Sequence, residues 1–130
     1  MTDYVKELHR INKICFSNRA QIERSVDVKR YLDRNFEKDI NLDRLAHLNG
    51  TSKYHMIRIF KKYHGVTPRQ YLIERRMIAA KKLLAQGKSV SETCYSIGFA
   101  SVHSFSNLFK SKTGKSPSAY KRAIFDKLES

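Results

Sequence analysis

The sequence predicts an all-α protein. Two lobes of three helices each, both built on a short helix, a glycine turn and a longer helix, are joined by a long central helix. An extra helix precedes them at the N-terminus. Three observations carry this prediction. Apolar residues recur at three- and four-residue spacing, and no run alternates apolar and polar residues long enough to read as a strand. Breakers are scarce, with five Gly and two Pro in 130 residues. One stretch occurs twice: Phe60-Lys61, Gly65, Pro68 and Tyr71 return 49 positions later as Phe109-Lys110, Gly114, Pro117 and Tyr120. Five identities at one offset in so short a window mark an internal duplication.

Residues 1–20 read as an N-terminal amphipathic helix or linker. Tyr4, Leu8, Ile11 and Cys15 recur at helical spacing over about 4–15, and Ser17-Asn18 is expected to break the pattern. The favoured reading packs Leu8 and Ile11 onto the chain's own first lobe. Pairing with a partner chain and the stump of a longer linker are the alternatives.

The first lobe is assigned to 21–67. It opens with a helix at about 22–36, with Val28, Tyr31, Leu32 and Phe36 inward. A short helix follows, with Leu42, Leu45 and Ala46 inward. Gly50 supplies the left-handed conformation that a tight turn needs. Ser52 then caps a longer helix at about 52–63, whose buried face is Met56, Ile59, Phe60 and Tyr63.

The connecting helix is assigned to 68–87. Thr67-Pro68 reads as a cap followed by Pro at the first helical position. Leu72, Ile73, Met77, Ala79, Ala80, Leu83 and Leu84 spread over a wide arc, as in a helix covered on more than one side. The second lobe is assigned to 88–125. Ser89 and Glu92 form a capping box before its short helix. Gly98 turns the chain, and Ser101 caps a longer helix with Phe105, Leu108 and Phe109 buried. Ser116-Pro117 opens the last helix, and 126–130 is a tail.

Charge is placed unevenly. The net charge is +14. Residues 46–125 hold fifteen Lys and Arg against two acids, Glu74 and Glu92, for +13. A folded surface this basic needs a polyanion, and nucleic acid is the commonest one. Other classes find little support. Five histidines show no metal-ligand spacing, and no Gly-rich phosphate loop exists, so no catalytic residue, cofactor or metal is expected. Cys15 and Cys94 form no metal or redox spacing and suit a reducing cytoplasm. No apolar run is long enough to span a bilayer.

A short helix, a glycine turn and a second helix make the helix-turn-helix, whose second helix enters the major groove of DNA. The outward set of the first copy is Lys53, Tyr54, Ile57 and Arg58 for base edges, with Ser52, Lys61 and Lys62 toward phosphate. Arg58 can chelate the O6 and N7 of guanine. Ile57 is either a contact to thymine methyls or a half-buried rim residue. In the second copy Val102, His103, Ser106 and Asn107 face the bases, and Ser101, Lys110 and Lys112 face phosphate. Asn107 can pair with adenine N6 and N7, or bind with little specificity at all. Two tethered readers suit major-groove faces one helical turn apart, about 34 Å or ~10 bp.

The segment Ile40 to Arg122 resembles the AraC/XylS-type DNA-binding domain. The resemblance rests on Leu45-Ala46, Gly50, Ser52, Tyr54-His55, Arg58-Ile59-Phe60-Lys61, Gly65, Pro68, Tyr71-Leu72, Arg76, Ala80 and Leu83-Leu84. It continues through Gly98-Phe99, Ser101, Phe105, Phe109-Lys110, Gly114, Ser116-Pro117 and Tyr120-Lys121. It implies a seven-helix, two-lobed bacterial transcription regulator, with activation the commoner role. Family members often carry Ile-Ala at Thr93-Cys94, Gln at Val102 and Arg at Asn107. The last two departures imply a second copy that reads its half-site less strictly than the first. The expected partners are double-stranded DNA and RNA polymerase, with no membrane. A monomer is expected to bind, with a dimer through residues 1–20 as an option. The expected location is the cytoplasm, in association with the nucleoid. The rival reading is a non-specific architectural protein that coats DNA.

Overall fold

The computed structural model describes residues 2–129; Met1 and Ser130, the outer ends of the two terminal segments, lie outside the described residues. Among the described residues seven helices follow one another: α1 (Asp3–Asn35), α2 (Leu42–Leu48), α3 (Lys53–His64), α4 (Pro68–Ala85), α5 (Val90–Ser96), α6 (Val102–Thr113) and α7 (Pro117–Glu129). No strand occurs among the described residues. The chain divides into two compact units, residues 1–32 with 41–68 and residues 33–40 with 69–130.

The expected break at Ser17-Asn18 does not occur. Residues 3–35 form one helix of 33 residues. Ser and Asn cost only a few tenths of a kcal/mol each inside a helix, and extending a helix already nucleated is cheap. Neither Gly nor Pro is present to stop it. The favoured packing of Leu8 and Ile11 on their own lobe is also not seen, because both side chains are exposed. Tyr31, expected inward, lies on the rim and is exposed, while Val28 and Leu32 are buried as the periodicity requires.

In the first unit Val28, Leu45, Ala46, Met56 and Phe60 are buried. Polar contacts tie α1 to α3 beside them. The Tyr63 hydroxyl donates to Gln21 Oε1 at 3.2 Å, and His64 Nε2 lies 3.3 Å from the Ser25 carbonyl oxygen. Ser25 is itself buried, and its hydroxyl donates to the Ile22 carbonyl at 2.7 Å, so the burial leaves no orphaned group.

In the second unit the core is Met77, Ala80, Leu84, Cys94, Ile97, Phe105 and Phe109. Ile73, Ala79 and Leu83 of α4 pack against it from the same helix. A relay of rings runs through this core. Centroids lie 5.4 Å apart for Phe99–Phe105, 5.7 Å for Phe105–Phe109 and 5.4 Å for Phe109–Tyr120, in the tilted and edge-on geometries that aromatic quadrupoles favour. Burial pushes the Cys94 thiol up from its ordinary value, which keeps it protonated and inert.

The segment after α1 is held by α4. Arg76 donates from Nε to the Phe36 carbonyl at 2.8 Å and from Nη2 to the Lys38 carbonyl at 2.9 Å, while its guanidinium lies 5.4 Å from the Phe99 ring. These bonds satisfy carbonyls of the turn that follows α1. The close fit has a consequence at Gly98. Its φ is +99°, and a Cβ there would meet Arg76 Nη2 and the Glu37 carbonyl oxygen at 2.8 Å. Gly50, at φ +74°, has open space around the same position. Both turns use the left-handed conformation, and the second adds a close approach.

Candidate nucleic-acid interface

The two longer helices α3 and α6 are built by the same devices. Ser52 accepts from the His55 N–H at 3.2 Å and Ser101 from the Ser104 N–H at 3.3 Å. Each helix ends on a left-handed glycine, Gly65 or Gly114, whose N–H donates to the Lys61 or Lys110 carbonyl. Each is followed by a buried proline, Pro68 or Pro117, that starts the next helix. The equivalence read from the 49-residue repeat therefore holds atom by atom at the caps.

On α3, Met56 and Phe60 are buried, and Ile59 and Tyr63 are half-buried. The opposite side carries Tyr54, which is 78% exposed, together with exposed Arg58, Lys61 and Lys62. Ile57 is half-buried. Lys53 is half-buried and held: its Nζ lies 3.7 Å from Asp43 Oδ1 and 5.7 Å from the Tyr54 ring centroid. No motif in the sequence singles out Asp43 as a partner of Lys53. Asp43 lies ten residues away across the turn, where helical periodicity gives no signal. Ser52 is exposed beside the first turn of α3.

On α6, Phe105 and Phe109 are buried and Leu108 packs against the core. His103, Asn107, Lys110 and Lys112 are exposed, as is Ser101. Ser106 is half-buried. Val102 departs from the outward expectation: it is half-buried and packs against the core cluster, since an aliphatic side chain one turn before Phe105 gains more from the core than from water. His103 and Asn107 meet one turn apart, with Asn107 Nδ2 and His103 Nε2 at 3.1 Å. The two helices thus differ in what they offer. α3 presents an aromatic ring, a guanidinium and two ammonium groups, whereas α6 presents a paired imidazole and amide followed by lysines.

Among the described residues no group of three or more His, Cys, Asp or Glu side chains is placed to hold a metal. No helix among them is long and apolar enough to cross a membrane.

Comparison with known proteins agrees with this geometry. The family described as Helix-turn-helix domain matches residues 45–123. The chain is 38% identical over 96 residues to the bifunctional transcriptional activator/DNA repair enzyme AdaA of Bacillus subtilis, covering 73% of this chain and 46% of that protein. It is 31% identical over 98 residues to the probable transcription factor PqrA of Proteus vulgaris, covering 73% of this chain and 80% of that one. Among solved structures, the DNA-binding domain of the global transcriptional factor AdpA in complex with a target DNA superposes with a TM-score of 0.74 at 27% identity, covering 79% of this chain and 94% of that domain. The C-terminal domain of AraT, a response regulator from Geobacillus stearothermophilus, gives 0.73 at 26%, covering 77% and 84%. The chain belongs to the AraC-type helix-turn-helix family, a class of DNA-binding transcription regulators. It spans about half the length of AdaA, and the likeness to that protein is to the helix-turn-helix part.

Proposed function

We propose that the chain is a sequence-specific regulator that reads double-stranded DNA near promoters by placing α3 and α6 in successive major grooves of one duplex. The observation that carries this reading is the repeated device itself. Two helices with the same cap, the same glycine stop and the same buried face each turn polar and basic side chains to solvent. Non-specific coating of DNA needs only charge and gives no reason for two capped reading helices. Tyr54, Ile57, Arg58, His103, Ser106 and Asn107 are the proposed base readers. Lys53 and Val102 stand at the edge of that set, because one is paired with Asp43 and the other packs on the core. Ser52, Lys61, Lys62, Ser101, Lys110 and Lys112 are proposed to meet phosphate and so to fix the register.

The reading supports activation through contact with RNA polymerase more than repression, in the cytoplasm at the nucleoid. No enzymatic step is assigned to the chain. Selection from a random duplex library tests the proposal. Enrichment of two short motifs about one helical turn apart, at ~10³-fold or better over bulk DNA, is the expected result. Strong binding with no enriched motif, vanishing as salt rises, would establish the DNA-coating alternative instead.

A further inference from the structure

We propose that the first two-thirds of α1 forms a parallel, in-register coiled coil with a second copy of this chain. The stripe Tyr4, Leu8, Ile11, Cys15, Asn18 and Ile22 advances by alternating steps of four and three residues. That is the 3.5-residue period of a two-stranded coiled coil, in which Leu8, Cys15 and Ile22 take one set of layers and Tyr4, Ile11 and Asn18 the other. The stripe lies bare in the single chain. Tyr4 is 72% exposed, Leu8 40%, Ile11 46% and Ile22 44%, and Cys15 is exposed. Of residues 2–19 only Val5 is even half-buried. A lone helix of this length is marginal in water, and apolar pairing along one side supplies what propensity does not.

A second copy is the occupant that fits. The stripe carries no charge. Lys6, Arg10 and Lys13 lie off the stripe, and Arg10 pairs with Glu7 at 2.6 Å. In a parallel pair the flanking positions set Glu7 against Asn12 and Ile14 against Arg19, so no like charges meet. Asn18 fixes the direction. A parallel, in-register pair places the two Asn18 amides side by side, where each can donate to and accept from the other. The antiparallel pair that keeps the same layers sets Asn18 against Leu8, leaving a polar group unmatched, and Cys15 against Ile11. The parallel pair instead sets Cys15 facing Cys15, within reach of a disulfide.

The test uses the full chain. Sedimentation equilibrium is expected to show a monomer at low concentration passing to a dimer as concentration rises, because the seam is short. Under oxidised glutathione the two Cys15 thiols are expected to join as one disulfide, reducing one glutathione disulfide to two thiols. Cys94 is fully buried and cannot supply the bridge. Cys15→Ser should abolish the bridge and keep the reversible dimer. Leu8→Asp and Ile11→Asp should abolish both, with the cooperative thermal transition of the lobes unchanged, since neither side chain packs on them. A monomer at every concentration would overturn the proposal. So would a dimer that survives both aspartate variants, or one that forms by mass without a Cys15 bridge under oxidation.

Discussion

The Tyr71 hydroxyl on α4 donates to the Asp33 carboxylate near the end of α1, across 38 residues of sequence. Asp33 also lies 3.2 Å from Arg75 Nε, and the Arg75 guanidinium is 5.5 Å from the Phe36 ring centroid. Together with Arg76 these contacts fasten residues 33–38 to α4 inside the second unit.

Burial, reinforced by the hydrogen bond to Asp33, pushes the Tyr71 phenol from 10.0 up to about 12. Because the folded value is raised, the bond's contribution to stability is intact below pH 10 and is lost as the pH rises through about 12. Phenolate absorbance is expected to show one tyrosine titrating late. Asp33→Asn should bring that tyrosine earlier, and Tyr71→Phe should remove the late step. A late step that persists in Tyr71→Phe would assign it to another ring.

Gly50 and Gly98 occupy equivalent turns and should respond unequally to alanine. Gly50→Ala should cost about 1–2 kcal/mol, the strain of a Cβ in the left-handed region with open space around it. Gly98→Ala should cost more, since the methyl group must also displace Arg76 from the Phe36 and Lys38 carbonyls or move the Glu37 carbonyl. Urea unfolding of the two variants measures the difference. Equal losses would show that the Arg76 contact yields freely.

Thr93 is fully buried on α5, and among the described residues its hydroxyl has no hydrogen-bond partner. A buried unsatisfied hydroxyl costs about 1–3 kcal/mol. Thr93→Val, which keeps the shape and removes the hydroxyl, is expected to raise the urea midpoint by an amount equivalent to about 1 kcal/mol. A lowered midpoint would mean that the hydroxyl is satisfied in solution.

Arg58→Ala should lose about 1–3 kcal/mol of binding on the selected site and relax one base position, because Arg58 is exposed on α3 and proposed to chelate a guanine. Binding titrations on the selected site and on its single-base variants check this. The same loss on random DNA would move Arg58 to the phosphate set.

Lys110→Ala should weaken every sequence alike and lower the slope of log affinity against log salt by ~1, as loss of one phosphate contact requires. Affinity measured at several salt concentrations decides it, and a site-selective loss would place Lys110 among the base readers.

What was legible in the sequence was local. Ser52, Ser89, Ser101 and Ser116 could be read as caps because each accepts from the N–H three residues ahead, and the structure has all four bonds. The repeat gave the equivalence of α3 and α6 and hence the outward sets. What stayed hidden joins residues far apart in sequence. The bonds of Arg76 to residues 36 and 38 span about forty positions, as does that of Tyr71 to Asp33. No periodicity announces such pairs. The run of α1 through Ser17-Asn18 was hidden for another reason: two weak helix formers look like a stop only when the turns on both sides are left out of account.

The unbroken course of α1 makes it a screw thread. Each residue advances the helix 1.5 Å and turns it about 100°. The direction in which Leu8 and Ile11 face, relative to the lobe gripped at Ser25 and Val28, is therefore set by a residue count. Substitutions between the two stations leave that bearing alone. One residue added near Asn18 would swing the apolar stripe by about 100°, and seven added together would bring it back to within ~20°.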